Sequence, residues 1–181
     1  MPGSNPGMTQ KGIRAQRRLP APAVLPTDII IEASVWSAQR SAKTVLRQAI
    51  AAAAAAVPGT TGELAIVLTH DAAIRKLNRT WRGKDEPTNV LSFPAPGSRG
   101  GGAARQLGDI VIAYETTARE ALADNKPFRH HLAHLAVHGF LHLAGYDHEV
   151  GEGAEAMEKL EITILARLKV PNPYIARDAK G

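Results

Sequence analysis

Apolar positions along this chain fall into runs of two kinds. Short, β-branched runs at Ile29–Val35, Glu63–Thr69 (E-L-A-I-V-L-T), Val90–Phe93 and Gly108–Ala113 predict four strands. Longer stretches with helical spacing alternate with them. The first runs from Ser41 to about Val57, contains the alanine run Ala51–Ala56 and is stopped by Pro58-Gly59. A second, capped by Thr69 or Asp71, extends to about Trp81, with His70 a surface residue at the junction. A third covers Tyr114 to about Asn125. Pro127 opens a fourth, which ends near Gly145, and Gly151–Lys169 forms the last, terminated by Pro171 and Pro173. Pro94 and Pro96 end the third strand, and Gly97–Gly102 reads as a flexible hairpin connection. Mixed strands and helices predict an α+β fold: a small mixed sheet of about four strands covered by about five helices. Residues 1–26 have no period and read as a disordered basic tail, residues 27–170 as one domain, and residues 171–181 as a C-terminal tail.

Composition sharpens this picture in two places. The chain has no cysteine, which excludes disulfides and thiolate metal ligands and fits a reducing, cytoplasmic setting. No apolar run is long enough to span a membrane. The net charge of +5 is unevenly spread. Residues 1–26 hold Lys11, Arg14, Arg17 and Arg18 and no acid, which leaves 18 of the 22 bases to face all 17 acids. Within that balanced body, Arg75, Lys76, Arg79, Arg82, Lys84, Arg99 and Arg105 face only Asp85 and Glu86, whereas residues 147–161 carry six acids against Lys159. A basic segment on a neutral body suits a localised polyanion site, although charge alone is equally satisfied by solvated surface.

The candidate chemistry is concentrated in H-G-F-L-H-L-A-G-Y-D-H, His138 to His148. His138 and His142 lie one helical turn apart and face the same way. Gly145 follows where a helix that must stop takes a residue free to adopt positive φ, and the chain can then return His148 to the same point. Three imidazoles with no fourth protein ligand predict a zinc site, one ion per chain, sited on a helix and the turn after it, with a position open for a catalytic metal-bound water. Nickel and copper would compete, since imidazole suits several metals. The spacing H-x-x-x-H-x-x-G-x-x-H is that of metzincin proteases, but Gly139 stands where those enzymes need the general-base Glu.

A second constellation, Leu77–Pro94, reads L-N-R-T-W-R-G-K-D-E-P-T-N-V-L-S-F-P. Trp81 beside Arg82 and Lys84 offers a flat apolar face with two cations, a combination that stacks a base and holds a phosphate. Trp81 in the core, and Lys84-Asp85 as a locally paired turn, are equally good readings of these residues alone.

Taken together, N-x-x-W-R-x-K-D-x-P-T-N-V-L-S-F-P, then L-G-D-I-V-I at Leu107–Ile112, then H-L-A-V-H-G-F-L-H-L-A-G-Y-D-H from His134 resemble the YbeY family of endoribonucleases, in that order and over roughly residues 29–170. Asn89 stands where many relatives have Asp. The resemblance implies a zinc-dependent endonuclease for single-stranded RNA, acting in ribosomal RNA maturation at the 3′ end of the small-subunit (16S) RNA and in ribosome quality control. It implies zinc on His138, His142 and His148, Arg82 in the active cleft, and the ribosome or small-subunit assembly factors as partners. Zinc lowers the pKa of its water from about 15.7 to about 7 and polarises a phosphoryl oxygen. Arg82 would add charge stabilisation. His134, one turn before His138, and Asp147, next to His148, are candidates for supporting the ligands. Asp147, water and the substrate's 2′-hydroxyl all remain open as the base. Two rival readings are a zinc protease, disfavoured by Gly139, and a ribosome-associated RNA-binding factor whose zinc is structural.

Overall fold

A computed structural model describes residues 25–97, 106–146 and 152–175. The tail before residue 25, most of the glycine loop, and both Asp147 and His148 lie outside the described residues. Four strands form one sheet: β1 (Thr27–Ile31), β2 (Glu63–Thr69), β3 (Val90–Pro94) and β4 (Gln106–Ala113). Their order is β1-β2-β4-β3, with β1, β2 and β4 parallel and β3 antiparallel to β4 at the edge. Five α-helices accompany them: α1 (Ala42–Ala56), α2 (Asp71–Arg82), α3 (Tyr114–Ala123), α4 (Phe128–Leu143) and α5 (Glu152–Arg167). This is the α+β architecture that the element order predicts.

The strands alternate, and the alternation assigns the helices to faces. Leu64, Ile66 and Leu68 of β2 and Ile110 and Ile112 of β4 point to one side, where α1, α4 and α5 build the main core. Val111 and Ala113 of β4 and Leu91 of β3 point to the other, where Ile74 of α2 covers them in a smaller cluster. Ala53 of the alanine run and Ala49 just before it are fully buried, and their small side chains let α1 pack closely on α4. Leu25, placed in the tail by composition, is buried in the main core, and the Pro26 carbonyl accepts from Leu64 N at 2.9 Å.

Two local expectations are corrected. The first strand stops at Ile31 rather than running to Val35, because a 3₁₀ turn over Ser34–Ala38 carries Trp36 into the core. Trp36 is buried and its Nε1–H donates to the Thr69 carbonyl at 2.8 Å, a tertiary contact that overrides the β-branched pattern. The cap of α2 is neither Thr69 nor Asp71. Thr69 ends β2, and His70 Nδ1 accepts from Ala73 N at 3.2 Å. The Asp71 carboxylate instead accepts from the Thr116 backbone N–H at 3.0 Å and hydroxyl at 2.9 Å, tying α2 to α3.

The β3–β4 pair is set by Gly108, opposite Pro94, with φ +146°. A Cβ there would fall on the Phe93 carbonyl oxygen and 2.9 Å from Leu143 Cδ2, so both strand and helix end approach a bare backbone. Gly108→Ala is therefore expected to cost roughly 3–5 kcal/mol, combining a disfavoured φ with overpacking. Urea unfolding measures this, and a loss under about 1 kcal/mol would contradict the packing.

Candidate metal centre

Helix α4 is the centre of the molecule, and its sequence explains why. From His131 to Leu143 the positions that are not buried are His134, His138 and His142, one turn apart. Every other side of the helix is packed by residues such as Leu132, Val137, Phe140 and Leu141. The spacing of four that the sequence shows is therefore a single half-open stripe of imidazoles on an otherwise enclosed helix.

Gly139 is part of this enclosure. A Cβ at that position would sit 3.0 Å from both Ile110 Cγ2 and Ser92 Oγ, and Ser92 Oγ donates to the Gly139 carbonyl at 3.2 Å. The helix thus lies close against β3 and β4 where a protease would carry its glutamate, and a side chain there would have to push Ile110 and Ser92 aside. Gly145 has φ +94°, and the backbone N–H groups of Gly145 and Tyr146 bond back to His142 and Leu141, closing the helix as the spacing predicts.

Within the stripe, His138 Nε2 and His142 Nε2 face each other at 3.1 Å, with their rings edge to face. Behind them lies Glu161 of α5, which is fully buried. His138 Nδ1 is 2.7 Å from Glu161 Oε1 and His134 Nε2 is 3.2 Å from Oε2. The Tyr174 hydroxyl also donates to Oε2 and lies 3.4 Å from His134 Nε2. Burial pushes the Glu161 carboxyl upward, but the hydrogen bonds and charges of His134 and His138 outweigh it and hold the group at about 2. An ionised carboxylate only accepts, so His138 donates through Nδ1 and a neutral ring keeps its lone pair on Nε2. His134 likewise commits its Nε2–H to Glu161.

This donor set fits a metal ion in two ways. Two nitrogens each 2.0–2.1 Å from a tetrahedral zinc stand about 3.3 Å apart, close to the separation of the facing Nε2 atoms. Alternatively, His134, His138 and Glu161 offer ligand atoms within 4.8 Å of one another, a group able to hold a metal. A cavity of about 830 Å³ opens beside these residues, lined by His131, His134, His138, Glu120 and Tyr174 among others. On its wall Glu120 accepts from His131 at 2.8 Å and from Asn89 Nδ2 at 2.8 Å.

The second constellation lies at the end of α2 and in the turn after it. Trp81 is 68 % exposed, not core, and stacks edge-to-face on Phe93 with centroids 5.8 Å apart. Arg82 is the last, exposed residue of α2. Asp85 is drawn to Arg75 through two 3.0 Å hydrogen bonds rather than to Lys84. Among the described residues Arg82 and Lys84 have no ion-pair partner. Phe93 and Ser92 point to opposite faces of β3, so the Trp81 side and the histidine side are separated by this edge strand.

Glu161 and Tyr174 were not found by sequence reasoning. A signal for Glu161 exists: it falls in the apolar stripe of α5 formed by Met157, Leu160, Ile164 and Leu165. Its place in a run of acids masks it. Tyr174 lies in the stretch expected as a tail, yet it reaches Glu161, and the Pro173 carbonyl accepts from Lys126 Nζ at 2.9 Å.

The family model described as Endoribonuclease YbeY matches residues 29–169. An Endoribonuclease YbeY from Rhodopseudomonas palustris is 58 % identical over 156 residues, 84 % of this chain and 82 % of that protein. One from another strain of the same species is 49 % identical across 98 % of both chains. One from a Bradyrhizobium is 55 % identical, covering 88 % of this chain and 98 % of the relative. The solution structure of a Thermotoga maritima protein gives a TM-score of 0.48 at 25 % identity, over 79 % of this chain and 91 % of that one.

Proposed function

This chain belongs to the YbeY family of endoribonucleases, and from that premise we propose that it is a zinc-dependent endoribonuclease that cleaves single-stranded RNA during ribosomal RNA processing. The finer assignment is maturation of the 3′ end of the small-subunit RNA and ribosome quality control, in the cytoplasm, with the ribosome or small-subunit assembly factors as partners. The observation that carries the reading is the facing Nε2 pair of His138 and His142 on a half-open stripe, backed by a buried carboxylate. His148, outside the described residues, completes the ligand set, and one zinc binds per chain. No described helix is long and apolar enough to cross a membrane.

Bound zinc would supply Lewis acidity toward a phosphoryl oxygen and activation of water near neutral pH. The chain's own residues supply the rest. The enclosed walls of α4 hold both imidazoles in place, so little rearrangement accompanies the reaction. His134 donates its Nε2–H hydrogen bond to Glu161 and serves as support rather than as the acid for the leaving oxygen. Arg82, without an ion-pair partner among the described residues, presents a planar fork to phosphate oxygens at the end of α2, and the exposed Trp81 ring suits stacking of an unpaired base beside Lys84. Asp147, water and the substrate's 2′-hydroxyl are the groups left to complete the proton transfer from the attacking oxygen. Glycine at position 139 leaves that position without the general base of the protease chemistry, and the close approach of Ile110 and Ser92 disfavours a larger side chain there.

Chelator treatment tests the proposal. The stripped protein is expected to keep its helical content, to lose cleavage of a ribosomal RNA fragment and to regain it with Zn²⁺, while casein stays intact throughout. Full cleavage without metal would overturn it, as would RNA binding with no turnover in the metal-loaded protein, the behaviour of a binding factor with structural zinc.

A further inference from the structure

Glu161 is the one fully buried carboxylate among the described residues, and three donors from two segments converge on its two oxygens. His138 approaches Oε1, while His134 and Tyr174 share Oε2. Helix α4 and the chain after α5 are thereby joined through one acceptor. We propose that Glu161 is a positioning residue for the metal: it fixes His138 in the tautomer protonated on Nδ1 and aims Nε2 at the ion, while His134 and Tyr174 hold the carboxylate in place. This rests on the reading that His138 and His142 bind zinc through Nε2.

The geometry favours support over direct ligation for Glu161. Its oxygens are already engaged by three donors, and moving a metal into that space would displace the protons of His134, His138 and Tyr174 together. The His138–His142 side needs no such displacement, since the two Nε2 atoms already converge. Ligating histidines characteristically donate their second ring N–H to a carboxylate, which raises ligand basicity and fixes the ring. Glutamine is a sharp probe of this arrangement. It keeps the shape of glutamate but replaces one acceptor oxygen by an NH₂ group, so three donors would face one acceptor.

Two measurements on the full chain decide it. Long-range ¹H–¹⁵N correlation on the metal-free protein is expected to show His138 protonated at Nδ1; a ring protonated at Nε2, or an even mixture, would overturn the proposal without any variant. In Glu161→Gln, Zn²⁺ affinity from chelator competition should fall 10–100-fold, with one ion still bound at saturation. Co²⁺ loaded in place of zinc should keep its wild-type visible absorption bands, as the ligand atoms are unchanged. Unchanged affinity would overturn the positioning role, and shifted Co²⁺ bands would make Glu161 a ligand and overturn it too. If the variant does not fold, the tautomer measurement decides alone. A His142→Ala chain that retains its zinc would instead sink the underlying metal assignment, which keeps the two failures apart.

Discussion

Replacing His142 by alanine is expected to remove zinc from the purified protein and abolish RNA cleavage while leaving the fold in place. His142 is the cleaner of the two described ligands to test. His138 also satisfies Glu161, so its loss would leave a buried carboxylate short of a donor. His142 is only half-buried, at the C-terminal end of α4, and the apolar residues that anchor the helix are untouched. Zinc bound by a full set of protein ligands is held by about 10–16 kcal/mol, so one imidazole accounts for roughly 3 kcal/mol, on the order of 10²–10³-fold in affinity. Metal analysis beside circular dichroism measures both halves of the expectation. Full zinc occupancy in the variant would sink the assignment of His142, whatever happened to activity.

Arg82→Ala is expected to slow single-turnover cleavage at saturating RNA by about 10²–10³-fold, the range typical of losing one preorganised donor to transition-state charge. Affinity for RNA should change far less, since only contacts that strengthen in the transition state alter that rate. Lysine should rescue poorly, because it brings a point charge without the two-pronged fork. Stability should barely move: the residue is exposed and unpaired among the described residues. The alternative outcome is equally concrete. If Arg82 only grips the RNA backbone, binding weakens, its salt dependence flattens and the saturated rate is unaltered. Cleavage rates measured beside equilibrium binding at two salt concentrations separate the two roles.

How far these residues could be read from sequence depends on whether local spacing or tertiary contact determines them. The bounds of β2, the span of α1 and the histidine stripe follow from periodicity within one element, and Gly145 from the φ its turn demands. Gly139 was legible as the absence of a base, but the reason for the glycine, the approach of Ile110 and Ser92, involves strands some thirty to fifty residues away. Trp36 ends β1 early through a bond to Thr69, which no pattern near Ile31 announces. Glu161 was hidden for a different reason. Charge in a run of acids normally marks a solvated surface, and only the packing of α5 on α4 shows that this member points inward. The resemblance puts Arg82 in the cleft with the histidines, whereas strand alternation sets Phe93, on which Trp81 packs, and Ser92, which faces α4, on opposite faces of β3.

That separation by an edge strand has a mechanical consequence. A substrate touching both Trp81 and the histidines would have to curve around the outer rim of β3. Double-stranded nucleic acid resists such a bend, with a persistence length for DNA of about 150 base pairs. An unpaired strand turns freely at each phosphate. Discrimination against duplexes would then arise from the bending stiffness of the polymer, filtered by the width of a single β-strand, with no base needing to be read.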